Sequence, residues 1–319
     1  MGKSIGMKDI ALSLGISVDA VSKALRNTDD ISLATKEKVR AKADELGYVK
    51  DRAAVALKAG MSKNVAVYIN NLINPYSAVA TDFIIRGLVD RGYVPLVSFS
   101  PKFVLDESIL SASLGGRPCM AISLIEPTDG AMEVFRKAGI PFFLIGIYPR
   151  NPLVHYAISD DFKGGRLVAE RFMASPYSKA LFITDSPSET SERRLRGFID
   201  GAKGKEVIPL PYGSPDKVVK QAINAIQKED ISFVFAYSDY LGFALRRALK
   251  DEGYQKEVEI IGYDDISTYE EIFEPLPSVG CDLPKMVEKT IEWAIASIEG
   301  GEEGRMEEIY PVYLKMHGK

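Results

Sequence analysis

Apolar residues in the first fifty positions recur at helical spacing. Ile10 and Leu14 lie four apart and share a face, and Gly15 ends that segment. Ser17 is a good N-cap for a second helix, in which Val18, Val21 and Leu25 again fall at helical intervals. The polar loop Asn27-Thr28-Asp29-Asp30 follows. Ser32 then caps a third helix whose buried stripe is Val39, Ala43 and Leu46, and Gly47 closes it. Arg52 to Ala59 is short, Ala-rich and helix-prone, and Gly60 breaks it. It reads as a linker helix that orders only when something packs against it, because so short a helix is not stable alone.

From Asn64 the pattern changes. Val65–Ile69, Val94–Ser98, Met120–Leu124, Phe142–Ile145, Ala180–Ile183, Phe233–Ala236 and Glu259–Gly262 are short apolar runs of the kind that buried strands make. Helical patterns lie between most of them, including one from about Tyr76 to Arg91 that Gly92 ends. Alternation of strand and helix predicts an α/β core of parallel sheets with right-handed crossovers. The strands are too many for one small doubly wound sheet, so two lobes are expected. Ligands of such folds bind outside the carboxyl ends of the strands or between domains. A final strand is expected over Tyr310–Lys315.

Charge sharpens this division. Up to Lys63 there are twelve basic and eight acidic residues, a surplus of four, whereas the 319-residue chain carries −4 overall. A modestly basic head on an acidic body suits a nucleic-acid-binding module on a sensor. Two cysteines, Cys119 and Cys281, argue against a disulfide scaffold or a thiolate zinc site. Two histidines, His155 and His317, leave little room for a triad or a histidine metal site. Neither a P-loop nor a G-x-G-x-x-G fingerprint occurs. Gly164-Gly165 lacks the third glycine and the Lys-Ser/Thr of a phosphate cradle. The carboxylate pairs Asp160-Asp161 and Asp264-Asp265 read as ligand acceptors or helix caps before they read as acid–base catalysts. An enzyme is not expected, nor a cofactor or metal. The N-terminus has no apolar stretch suited to a secretory signal, and no apolar run approaches the ~18 residues of a membrane span, so a cytoplasmic protein without membrane contact is expected.

The segment Met7-Lys8-Asp9-Ile10-Ala11, followed by Gly15 through Leu25, resembles the headpiece of the LacI/GalR family of bacterial transcription regulators. Ile31-Ser32, Thr35, Val39 and Leu46-Gly47-Tyr48 extend the likeness. It continues through Asn74-Pro75-Tyr76, Asp160-Asp161 with Gly164-Gly165, Arg194 to Phe198, Ser238-Asp239 and Gly262-Tyr263-Asp264-Asp265. Each element is a weak signal alone; their order and spacing along nearly the whole chain are not.

The resemblance implies a helix-turn-helix headpiece over 1–51, a hinge helix over 52–62 and a periplasmic-binding-protein-like core over 63–319. In that core the chain crosses three times between lobes. One lobe is expected at about 63–159 and 282–306, the other at about 160–281 and 307–319. The implied function is a regulator, expected to be a repressor, whose affinity for double-stranded operator DNA is switched by a sugar-like effector. With no further helix after the last strand, a homodimer is expected. By resemblance Val18, Asp19 and Lys23 read base edges in the major groove, where lysine bonds guanine, aspartate accepts from cytosine and valine touches a thymine methyl. Ser17, Ser22, Asn27 and Thr35 are implied phosphate contacts, which position without specifying. Leu57 stands where the family places an intercalating leucine, and Ala54 where two hinge helices pack. Lys50-Asp51 and Val55 depart from the usual Pro-Asn and Arg of that helix.

In the core the resemblance gives Arg194 and Asp264 to sugar hydroxyls; a structural Arg–Asp pair across the cleft is the alternative. Tyr76 stacks on a ring or packs in the core. Ser238 replaces a frequent ligand-bonding Asn. Lys163 either meets a phosphate or carboxylate of the effector or is a solvated surface residue. A core that senses a non-sugar ligand or a partner protein, or a plain solute-binding protein, is the competing reading.

Overall fold

The computed structural model describes residues 5–48, 62–100, 104–269, 274–300 and 304–316. The chain divides into two compact units, Met1–Ser62 and Lys63–Lys319. The Arg52–Ala59 linker helix, with Ala54 and Leu57, lies outside the described residues.

In the first unit α1 (Met7–Leu14), α2 (Val18–Arg26) and α3 (Leu33–Glu45) close on Ile10, Ala11, Val21, Ala24, Val39 and Ala43. The ends of these helices follow local chemistry. Gly15 stops α1 in the left-handed region at φ 63°. The Ser17 hydroxyl accepts from the Ala20 N–H at 3.1 Å and starts α2. Asn27 ends α2 at φ 63°, a conformation its short polar side chain tolerates.

The second unit holds two six-stranded sheets. The first has the order β13-β7-β6-β4-β1-β2 and is parallel throughout. Its strands are β1 (Asn64–Ile69), β2 (Val94–Phe99), β4 (Met120–Ser123), β6 (Phe142–Ile145), β7 (His155–Ser159) and β13 (Glu307–Tyr310). The second has the order β14-β12-β11-β10-β8-β9, with only β14 (Val312–Lys315) antiparallel to its neighbour. Its other strands are β8 (Lys179–Ile183), β9 (Glu206–Pro209), β10 (Phe233–Ala236), β11 (Glu259–Tyr263) and β12 (Ser278–Cys281). A small ladder joins β3 (Val104–Leu105) to β5 (Glu126–Pro127). Helices α4 (Pro75–Asp90), α5 (Glu107–Leu114), α6 (Asp129–Ala138) and α11 (Leu283–Ile298) belong to the first lobe. The second lobe carries α7 (Asp161–Ala174), α8 (Glu189–Gly201), α9 (Pro215–Glu229) and α10 (Asp239–Asp251). Among the described residues no helix is long and apolar enough to cross a membrane.

Two expectations are corrected. The last segment of the first lobe runs to Tyr310 rather than 306, because Glu307–Tyr310 pairs with Tyr156–Ser159 at the edge of the first sheet. The expected single strand over Tyr310–Lys315 is accordingly split. Pro311 has no N–H to offer a ladder, so the chain leaves one sheet there and enters the other as β14.

Gly164 and Gly165 serve packing. A Cβ on Gly165 would stand 2.1 Å from the Arg194 carbonyl oxygen, and one on Gly197 2.0 Å from that of Phe162. Glycine is needed at both because α7 and α8 touch there backbone to backbone.

Candidate functional site

In the headpiece, α2 turns Val21 and Ala24 inward and leaves its N-terminal turn outside. Val18 is 39% exposed although apolar, and the Asp19 side chain is 70% exposed. Ser17 is exposed and Ser22 half-buried on the same helix start. Lys23 stands 2.7 Å from an Asp30 carboxylate oxygen and 3.5 Å from one of Asp19. The Thr28 hydroxyl donates to Asp30 at 2.5 Å and orients it. With Lys23 and Thr28 on it, Asp30 is held at about 2, below the ordinary carboxylate range. Asn27 and Thr35 have internal partners as well. The Asn27 amide oxygen accepts from Arg40 at 3.2 Å, and the Thr35 hydroxyl is 2.9 Å from that of Ser32.

The core opens between its lobes into a cavity of about 530 Å³. Its wall is made where parallel strands of both sheets end. Asn70 and Asn71 follow β1, Leu124 to Glu126 follow β4, and Gly146 and Ile147 follow β6. From the second lobe, Asp185 to Ser188 follow β8, Tyr237 and Ser238 follow β10, and Asp264 follows β11. In α/β sheets the crevice for a ligand lies outside the carboxyl ends of the strands.

Four expected residues meet on this wall: Tyr76, Arg194, Ser238 and Asp264. Tyr76 is placed by the start of α4. The Asn74 side chain accepts from the Tyr76 N–H at 3.0 Å, and Pro75 takes the first helical position, where its missing N–H costs nothing. Gly146, at φ 75°, makes room for the ring; a Cβ there would lie 2.0 Å from the Tyr76 hydroxyl. Ser238 is 2% exposed and caps α10, its hydroxyl accepting from the Leu241 N–H at 3.4 Å. Lys163 is not on the wall. Asp161 and Lys163 are two residues apart in α7 and so lie about 200° apart round its axis. Asp161 points inward, hence Lys163 points to solvent.

Arg194 is 4% exposed. Its Nε donates to Asp161 at 2.8 Å and its Nη1 to the Tyr237 carbonyl at 2.5 Å, and the guanidinium stacks 3.4 Å from the centre of the Tyr263 ring. Asp264 is 3.9 Å from Nη1, beyond hydrogen-bonding distance. The structural Arg–Asp pair thus exists, but with Asp161. Burial works against the arginine's charge, and the neighbouring Asp161 and the flanking tyrosines outweigh it, so Arg194 stays protonated. Burial also raises Asp161 and, far more, Asp264. Asp264 sits at φ 111°, a backbone region that side-chain-bearing residues rarely occupy, and such strain gathers at functional positions.

Sequence reasoning missed several members of the wall. Glu126 is 8% exposed, raised by burial, and accepts from the Arg150 N–H at 2.7 Å. Asp185 is raised by burial too. On the rim the lobes touch directly: the Tyr148 N–H donates to the Thr190 hydroxyl at 3.0 Å, Arg150 donates to the Pro187 carbonyl at 3.2 Å, and Arg193 stacks 3.5 Å from the centre of the Tyr148 ring. The available signal was position, since Glu126 and Asp185 each lie two or three residues past a strand's end.

Residues 6–51 match the bacterial regulatory proteins of the lacI family, and residues 169–315 match the periplasmic binding protein-like domain. The maltose regulon regulatory protein MalI of Escherichia coli (strain K12) is 38% identical over 285 residues, which cover 82% of this chain and 83% of that protein. The lac repressor dimer bound to operator and the anti-inducer ONPF has the same fold, with a TM-score of 0.80 at 19% identity over 98% of both chains. So does the transcriptional regulator CelR in complex with cellobiose, with a TM-score of 0.68 at 21% identity over 98% of both chains.

Proposed function

The chain belongs to the lacI family of bacterial regulatory proteins, DNA-binding transcriptional regulators and not enzymes, and we propose that it is a cytoplasmic repressor whose operator affinity is switched by a sugar-like effector held between its core lobes. The observation that carries the reading is the cavity, walled by both lobes, with Tyr76 on one side and Arg194, Ser238 and Asp264 on the other. A ligand that touches both lobes prefers one arrangement of them, and only such a preference can shift an equilibrium. Aromatic and aliphatic walls with a few carboxylates suit the apolar faces and hydroxyl edges of a sugar ring. The relative CelR is known with cellobiose.

At the other end, the exposed start of α2 supports base reading by Val18, Asp19 and Lys23, with Ser17, Ser22, Asn27 and Thr35 near phosphates. Ala54 and Leu57 would complete the contact from the hinge. A homodimer is supported by the outer strand β2, which leaves the apolar Val97 and Phe99 exposed at the edge of the first sheet. The lac repressor, which shares the fold, is a dimer on its operator.

The test begins by selecting duplexes from a random pool with the full-length protein. The selected operator is then titrated with and without each member of a sugar panel. A two-fold symmetric site is expected, with one sugar changing affinity at least tenfold, equivalent to about 1.4 kcal/mol of coupling. Selection of no preferred sequence, or a selected operator that no sugar affects, contradicts the proposal.

A further inference from the structure

The charges around the cavity are unbalanced, and the imbalance bears on which ligands can enter. Among the described residues its charged wall residues are Glu126, Asp185 and Asp264 against Arg150 and Arg194. Both cations are engaged. Arg194 gives Nε to Asp161 and Nη1 to the Tyr237 carbonyl. Arg150 gives Nη2 to the Pro187 carbonyl, with its Nε 3.6 Å from Glu126. Asp161, just behind the wall, takes the Nε hydrogen bond of Arg194, which leaves Asp264 only a 3.9 Å contact with Nη1 and leaves Asp185, among the described residues, without a cation. Asp264 has a side chain only 9% exposed and, among the described residues, no hydrogen-bond donor. Among the described residues no side-chain donor reaches Asp185 either.

Helix N-termini could offset this, since those of α4, α8, α9 and α10 line the cavity and such ends attract anions. The uncapped one, of α9, begins with Pro215, which has no N–H, followed by Asp216, and the other three are already capped. Asn74, Ser188 and Ser238 cap α4, α8 and α10 with their own side chains. Glu189 and Glu192 in α8 and Asp239 in α10 put carboxylates into the first turns. Among the described residues the wall therefore holds acceptors that need donors, and both of its cations already have partners.

We infer that the cleft selects a polyol without phosphate or carboxylate groups, one that brings O–H or N–H donors to Asp185 and Asp264, and that Asp185 is the residue that turns anionic sugars away. This rests on the reading of the cleft as the effector site and narrows its ligand class. A neutral or amine-bearing ring fills the acceptors of both aspartates. A phosphate ester of the same ring sets like charges against each other in a site that excludes much of the water, and that juxtaposition is a device of specificity.

The experiment is calorimetry on the full-length protein with matched probes. They are glucose, maltose, cellobiose and ribose, glucosamine as an amine-bearing member, and the 6- or 5-phosphate esters of the same sugars. Whichever unesterified sugar binds best is expected to lose at least about tenfold in affinity on phosphorylation. Asp185→Glu, which keeps the charge, should retain that discrimination, and Asp185→Asn should largely erase it. An ester that binds as tightly as its parent overturns the charge selection and leaves the cleft reading standing. Discrimination that survives Asp185→Asn undiminished overturns the role of Asp185. Binding by no member of either class removes the polyol reading of the cleft, and this inference with it.

Discussion

Arg194→Ala isolates the structural part of the cleft's central cation. The Arg194 side chain is 5% exposed and that of Asp161 1%, with 2.8 Å between Nε and the carboxylate. Removing one partner of a buried pair costs about 3–5 kcal/mol, because it leaves an uncompensated charge. The Ser159 hydroxyl donates to the same Asp161 oxygen at 3.1 Å but brings no charge, and the other oxygen lacks a partner. In a domain of this size about 2–4 °C of melting temperature go with each kcal/mol, so a fall of about 6–20 °C is expected near neutral pH. The loss should depend on pH with a definite sign. Burial already holds Asp161 above its ordinary 3.8 despite Arg194, and without the arginine it rises further. A carboxyl raised in the folded state binds its proton more tightly there than when unfolded. Its contribution therefore worsens as pH climbs from the unfolded value through the folded one. The deficit of the variant should be largest near neutrality and shrink on acidification. Thermal unfolding followed by circular dichroism at about pH 7.5 and about pH 5, parent against variant, measures both. Equal melting temperatures near neutrality, or a deficit of the same size at both pH values, would refute the reasoning.

Three further outcomes are expected. Lys23→Ala should cost about 1–3 kcal/mol at one base pair of each half-site, read by titrating operators substituted at single positions; a uniform loss on all sequences would make Lys23 a phosphate contact instead. Gly146→Ala should weaken sugar binding about tenfold or more in calorimetry, because the new Cβ would stand 2.0 Å from the Tyr76 hydroxyl. Tyr76→Phe on the same background should recover part of that loss, and no change in either variant would remove Tyr76 from the site. Leu57→Ala should reduce operator bending in energy-transfer measurements between end-labelled duplexes, since a wedged apolar side chain is what kinks the step; an unchanged bend would leave Leu57 a linker residue.

Much of the architecture follows from local rules and was legible in the sequence. Caps at Ser17 and Ser32 and the apolar spacing of Val21 and Val39 define the headpiece helices, because one helical turn sees only its near neighbours. Fully buried strands such as Phe142–Ile145 and Phe233–Ala236 announce themselves as unbroken apolar runs. Glu206–Pro209 does not. It is a half-exposed edge strand ending in proline, and it exists only because β8, far back in the chain, offers it a ladder. The order of motifs along the chain likewise carries the family, since a whole fold constrains that order.

What the cleft does with its charges was decided only in three dimensions. Arg194 and Asp264, both expected at the cleft from sequence, do line it, yet Arg194 hydrogen-bonds Asp161, because the glycine-lined contact of α7 and α8 brings those two side chains together. Asp185 and Glu126 look like any acidic loop residues in a linear reading. They acquire meaning from standing at strand ends on opposite sides of one cavity, where burial strips water from both carboxyls and raises them. Local spacing determines which face of an element is apolar. Which charges share a low-dielectric space depends on segments tens of residues apart, and only the packed chain brings them together.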